Sequence, residues 1–252
     1  MIHIDRIPAP NELTQDVVRL KTDAFLADAT KVVWRDKYIV DALKSMSHSK
    51  CAYCECKLGE ESKYMEVEHF HDKKDFPNEV VAWDNLLPSC KKCNTSKGAH
   101  DTVSEPIINP TIDIPQRHMV LKRGVRFRGV DKLGKMTITV LNLNDQDHHC
   151  QNRYAIGQAI TVELEKLEAA SCDFLNGNRK QTTQGLGRLR NATVELLSKG
   201  TKDKEYSAVV ATALLSDELY DSLKANLQQL GIWTDEMNGY EAELQTIRYQ
   251  EA

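Results

Sequence analysis

The chain has 252 residues, 41% hydrophobic and 28% charged, with a formal net charge of −4, which is room for one large or two small domains of ordinary globular make-up. No apolar run approaches the roughly 18 residues of a bilayer span. The opening MIHIDRIPAPNEL lacks a basic-then-apolar leader pattern, so a cytoplasmic protein with no membrane segment is expected.

Residues 11–46 read as helices, because Leu13, Val17, Leu20, Ala24 and Ala27 recur at helical spacing. Asn11, after Pro10, is the expected N-cap. Residues 48–101 concentrate cysteine, histidine and lysine, and 102–117 form a linker punctuated by Pro106, Pro110 and Pro115. Residues 118–141 read as strands, with Val125–Arg128 and Thr137–Val140 flanking a turn at Asp131–Gly134. From about 146 the pattern is helical, with one stripe through Ile156, Ile160, Leu164 and Leu167. A second stripe runs through Leu215, Leu219, Leu223, Leu227 and Leu230 and stops at Gly231. Residues 176–187 read as a loop, and His148-His149 as a solvated helix start. The expected divisions are an N-terminal helical segment 1–47, a core 48–101, a linker with strands 102–145 and a helical region 146–252.

Seven cysteines, an odd number, stand without a leader, which argues against a disulfide framework. Cys51-x-x-Cys54 and Cys90-x-x-Cys93 are two knuckles separated by 35 residues. Each two-residue spacer turns a pair of thiolates toward one ion, and two pairs complete a closed tetrahedral zinc site. Such a site is structural, since no coordination position is left open. The gap exceeds the ~15–20 residues of a common zinc ribbon, so an insertion with its own task fills it. Cys56 is read as a spare thiol, Cys150 and Cys172 as small buried apolar residues.

The insertion carries Glu68-His69-Phe70-His71, then Trp83-Asp84-Asn85-Leu86-Leu87, and runs into Cys90-Lys-Lys-Cys93-Asn94-Thr-Ser-Lys97. This order resembles the HNH nuclease motif, with Asn94 where the last histidine usually stands. The resemblance implies a ββα-metal core in an α+β chain: a zinc-braced nuclease with a small β-hairpin region, flanked by N-terminal helices and a C-terminal helical region. It implies His69 as general base on water; a neutral imidazole with pKa near ~6.5 suits that role. It implies Glu68 and Asn94 as ligands of one catalytic Mg²⁺ or Mn²⁺, a hard ion suited by oxygen donors. Asn85 would pin the loop that orients the strand of His69. Lys97 is read either as a phosphate contact or as solvated. His71, two residues beyond His69, is either an additional or outer ligand or a hydrogen-bonded structural histidine.

A narrower resemblance rests on Cys51-Ala-Tyr-Cys54-Glu55, Glu68-His69-Phe70, Trp83-x-Asn85-Leu-Leu-x-Ser89-Cys90, Ile108–Thr111, Leu141–Asn144 and Arg153. These stretches, spanning about 50–155, are similar to the PtuB-type nucleases of Septu and retron-associated anti-phage systems. His71-Asp72-Lys73 departs from the His-x-Pro-Lys of that pattern. The resemblance implies a nuclease acting on nucleic acid; DNA is expected over RNA, although chemistry at the phosphate does not by itself separate the two. It further implies a PtuA-type ATPase partner and a retron or other trigger component. An acidic balance fits that reading, because tight binding to phosphates would need a local basic patch, metal ions or a partner. Lys122–Arg128, with four basic residues, is either such a patch or the exposed face of a hairpin. The competing function is a non-catalytic zinc adaptor, which needs the four cysteines but not Glu68, His69 and Asn94.

Overall fold

The computed structural model describes residues 1–59 and 64–251. They group into two compact units, Met1–Met119 with Arg128–Asn144, and Val120–Phe127 with the residues from Asp145 onward.

In the first unit, helix α1 (Gln15–Ala27) starts at Thr14, whose hydroxyl accepts from the Val17 amide at 3.3 Å. The cap is therefore Thr14 rather than Asn11. Its buried face is Thr22 and Phe25, while Leu20 is 64% exposed, so the inward stripe is not the expected one. Phe25 sets the helix rotation by meeting Trp34 edge-on, with ring centroids 5.9 Å apart. Helix α2 (Lys37–Met46) buries Ile39, Leu43 and Met46 at the helical spacing of one face.

Strands β1 (Met65–His69) and β2 (Leu86–Cys90) pair antiparallel, Met65 opposite Cys90 and His69 opposite Leu86. Helix α3 (Lys91–Lys97) follows β2 without a break and is capped by the Cys90 sulfur, which accepts from the Cys93 amide. This is the ββα arrangement that the HNH resemblance implies.

Strands β3 (Met119–Lys122) and β4 (Arg126–Gly129) form a hairpin, in which the expected strand Val125–Arg128 pairs with the segment before it rather than with Thr137–Val140. Arg123 and Gly124, both at positive φ, make its two-residue turn. Residues 132–140 are not a strand but helix α4 (Lys132–Val140). The Asp131 carboxylate caps it by accepting from the Gly134 amide at 2.8 Å. Thr137, read as a strand residue, packs inside at full burial and accepts from the Ile108 amide at 2.8 Å. Tertiary contacts of this kind outweigh the few tenths of a kcal/mol by which β-branched residues disfavour a helix. Gly134 is needed there, since a Cβ would fall 1.9 Å from the His118 carbonyl oxygen.

The second unit is built around the long helix α5 (Gln151–Leu175), which α6 (Thr183–Ser198), α7 (Ser207–Leu215) and α8 (Glu218–Gln229) pack against. Helix α9 (Asp235–Ile247) packs on α6 and α7. Ile160 and Leu164 of the expected stripe are buried, and Phe174 extends it. The leucine stripe of 215–230 spans two helices, because Asp217 caps a new start by accepting from the Leu219 amide. Gly231, at φ 68°, ends α8 as expected. The loop after α5 is shorter than expected, since Thr182 accepts from the Gly185 amide and starts α6. His149 is fully buried in a π-helical turn (Gln146–Cys150) rather than solvated. Cys150 is buried as expected, whereas Cys172 is half-buried and hydrogen-bonds Glu168 and Asn226. Arg153 is buried over the Phe127 ring and donates to the Val125 carbonyl at 2.5 Å. Among the described residues, no helix is long and apolar enough to cross a membrane.

Candidate active site

The sulfur atoms of Cys51, Cys54, Cys90 and Cys93 all lie within 4.8 Å of one another and are buried. Tetrahedral coordination with Zn–S bonds of about 2.3 Å requires sulfurs about 3.8 Å apart, and Cys54 and Cys90 stand 3.8 Å apart. The four thiols thus fit a structural zinc ion. The first knuckle turns tightly, with Glu55 in the left-handed region at φ 64° and the Cys51 amide donating to the Cys56 carbonyl. It is joined to β2 where the Ala52 amide donates to the Pro88 carbonyl. Cys56 is also buried against this cluster but is not one of the four.

Asn94 follows the fourth cysteine by one residue, so the sulfur cluster positions it directly. Its Nδ2 donates to Glu66 Oε2 at 2.6 Å. An amide that donates through nitrogen keeps its carbonyl oxygen, Oδ1, as an acceptor for another group. Glu66 and Glu68 lie two residues apart on β1, so their side chains leave the same strand face. Glu66 was not singled out in the sequence. Its signal was the i, i+2 spacing to Glu68, which becomes meaningful only once Asn94 is known to lie opposite.

Glu68, His69 and Asn94 line one cavity of about 330 Å³, with Glu66, Asp72 and Trp34. His69 Nε2 lies 2.9 Å from the Val80 carbonyl oxygen. A carbonyl only accepts, so Nε2 carries the proton and Nδ1 holds the free lone pair. Trp34 stands edge-on to the imidazole, at 4.8 Å between centroids. Burial lowers the His69 pKa to about 4, which keeps the ring neutral.

Lys97 is neither solvated nor available to a phosphate. Its ammonium is buried, 2.8 Å from Glu68 Oε1 and 2.8 Å from the His69 carbonyl oxygen. It ties the carboxylate and the strand end together from behind. Burial raises the Glu68 carboxyl to about 7 even with Lys97 beside it.

Asn85 is outside this cavity and holds its wall. Its Oδ1 accepts from the His71 amide at 2.7 Å, and its Nδ2 donates to the His71 and Glu79 carbonyls at 3.1 and 3.3 Å. The Phe70 amide donates to the Asn85 carbonyl at 2.9 Å. Residues 70–79 are thereby closed into a loop that carries Val80, the partner of His69. His71 faces away from the His69 cavity: its Nδ1 is 2.8 Å from Glu79 Oε2, and it lines a different cavity with Asn85. It is a structural histidine, not a ligand beside His69.

The HNH endonuclease family model matches residues 51–100, the span that holds the sulfur cluster and Glu68, His69 and Asn94. Septu protein PtuB of Bacillus thuringiensis is 43% identical over 236 residues, covering 94% of this chain and 90% of that protein. The chain belongs to the PtuB family of HNH nucleases. A second PtuB, from Bacillus mycoides (strain KBAB4), is 28% identical over 167 residues, 54% of this chain and 55% of that protein. The PtuB similarity extends well beyond the HNH core, so the helices outside residues 51–100 belong to the family pattern as well.

Proposed function

We propose that this PtuB-family chain is an endonuclease that hydrolyses phosphodiester bonds, DNA in preference to RNA, as the effector of a Septu-type anti-phage system. The reading is carried by one observation: Glu68, His69 and Asn94 converge on one cavity, and Asn94 directly follows a member of the four-cysteine cluster. A zinc adaptor would need the cysteines alone.

His69 acts as general base through Nδ1, taking the proton of the attacking water. Its Nε2–H bond to the Val80 carbonyl fixes the tautomer and lends the ring stability as it becomes charged. Trp34 excludes bulk water from one ring edge. The Glu68 carboxylate and the Asn94 Oδ1 are oxygen donors suited to one Mg²⁺ or Mn²⁺, and Glu66 holds the Asn94 amide in the orientation that offers Oδ1. When bound, the cation supplies charge relief at the phosphate and at the departing oxygen. Lys97 keeps the Glu68 carboxylate and the end of β1 in register, and Asn85 keeps the loop bearing Val80 closed.

A net charge of −4 gives little bulk attraction to nucleic acid. An ATPase partner of the PtuA type, which the family resemblance implies, would bring substrate to the site. The test incubates the chain with and without that ATPase on duplex DNA and on RNA in Mg²⁺ or Mn²⁺. His69→Ala is expected to abolish cutting while zinc content and folding persist. Unchanged cleavage by His69→Ala refutes the mechanism.

A further inference from the structure

The connection between α1 and α2 reaches the catalytic cavity, and nothing in the HNH motif accounts for it. Lys21 pins this segment twice, through the Val33 carbonyl at 2.9 Å and the Asp36 carboxylate at 2.8 Å. Trp34 is thereby wedged between Phe25 and His69. The next residue, Arg35, is exposed and lines the cavity of Glu68, His69 and Asn94. Its sequence neighbour Asp36 is already paired with Lys21, so Arg35 has no local carboxylate to satisfy it.

Two further cations line the same cavity. Lys73 is half-buried with its ammonium 5.4 Å over the Trp34 ring, and Lys74 is exposed. Among the described residues, Arg35, Lys73 and Lys74 form no ion pair, whereas Lys97 and Lys21 do. The cavity thus has buried or half-buried carboxylates (Glu66, Glu68 and Asp72) and, at its more exposed positions, cations that make no close ion pair. Carboxylates alone would repel a phosphodiester. Carboxylates that hold a divalent cation, together with more exposed basic groups, suit a polyanionic strand laid across the opening.

We infer that Arg35, Lys73 and Lys74 form the phosphate-holding rim of the active site, gripping the nucleic-acid backbone beside the bond to be cut. The inference rests on the endonuclease reading and names where its substrate lies. Arg35 comes from outside the HNH core, so the N-terminal helices serve to deliver a substrate contact. The contact is with backbone charge and carries no sequence preference.

The experiment uses the full chain carrying His69→Ala, so that binding is measured without cleavage. A labelled 30-base-pair DNA duplex is titrated over a series of NaCl concentrations with Ca²⁺ present. Arg35→Ala/Lys74→Ala is expected to weaken binding about tenfold at low salt. The slope of log affinity against log salt should fall by about 2, one unit for each lost phosphate contact. Arg35→Lys/Lys74→Arg should restore both. Arg123→Ala/Arg126→Ala, on the β3–β4 turn, is the comparison. An unchanged affinity and slope in the rim variant overturns the inference. So does a loss confined to the hairpin variant. Cleavage of the same duplex by chain with native His69, with the ATPase partner present, is read in parallel. Rim-dependent binding without any cleavage defeats the endonuclease reading and leaves the rim standing. Cleavage that is indifferent to the rim defeats the rim alone.

Discussion

Replacing Lys97 with methionine keeps the volume of the stem and deletes the ammonium. The native ammonium makes two contacts of 2.8 Å, to Glu68 Oε1 and to the His69 carbonyl, with both ionic side chains almost wholly inaccessible to water. Breaking a buried pair by removing one member costs about 3–5 kcal/mol where the remaining group stays charged; the Glu68 carboxyl, already raised to about 7, escapes part of that cost by taking up a proton, so the full loss is expected only above neutral pH. A domain's whole stability is about 5–15 kcal/mol, so Lys97→Met should lower the unfolding midpoint in urea strongly. Glu68→Gln/Lys97→Met removes both charges and should recover part of the loss. The two single changes should therefore be non-additive by about 1–3 kcal/mol. The assay is urea unfolding followed by tryptophan fluorescence, with zinc retained and no magnesium added. Trp34 and Trp83 both lie in the unit that holds the pair. A Lys97→Met cost below about 1 kcal/mol, with additive single changes, would refute the view of Lys97 as the clamp behind Glu68 and β1.

Three other perturbations test the rest of the site. Cys90→Ser should lower bound zinc below one ion per chain by atomic emission and destabilise the HNH unit, because it removes one of the four clustered thiols while the serine hydroxyl still caps α3; a full zinc complement in this variant would contradict the assignment. Glu66→Ala should weaken Mg²⁺ activation of cleavage by about 10- to 100-fold, as expected when the partner that orients a metal ligand is removed, with zinc content unchanged; an unshifted Mg²⁺ dependence would mean that Glu66 does not orient Asn94. Asn85→Ala deletes three hydrogen bonds at about 1 kcal/mol each. It should cost about 3 kcal/mol of stability and speed hydrogen exchange of the His71 amide, and an unchanged exchange rate at that amide would rule out the pinning role.

Much of the site was legible because its signals are local. Two Cys-x-x-Cys knuckles, an acidic-His pair and an Asn one residue after the last cysteine are short patterns whose chemistry tolerates few other residue types. The helical stripe through Ile160 and Leu164 and the terminator at Gly231 were legible for the same reason, since the helix repeat and left-handed backbone are properties of a few neighbouring residues.

The failures share a cause as well. Thr137–Val140 has the composition of a strand, but the Asp131 cap and the Ile108 amide that needs a buried acceptor draw it into α4. Leu20 looked inward by spacing and is exposed, because Phe25 and Trp34 choose the rotation of α1. Lys97 could be read as solvated until β1 is laid beside α3 and Glu68 and the His69 carbonyl are found to meet it. His71 shares a strand-like spacing with His69, yet β1 ends at His69 and the chain turns, sending His71 to Glu79.

The amino-acid sequence by itself therefore determined the chemistry: which atoms could hold zinc, which imidazole could take a proton and which oxygens could face a cation. Only the tertiary structure decided how those atoms are held and what surrounds them. The tautomer of His69, the orientation of the Asn94 amide and the presence of Trp34 and Arg35 at the cavity all come from contacts between residues distant in the chain. Coordination and proton affinity belong to a side chain's own atoms, whereas orientation, burial and local charge arise only where separate segments meet.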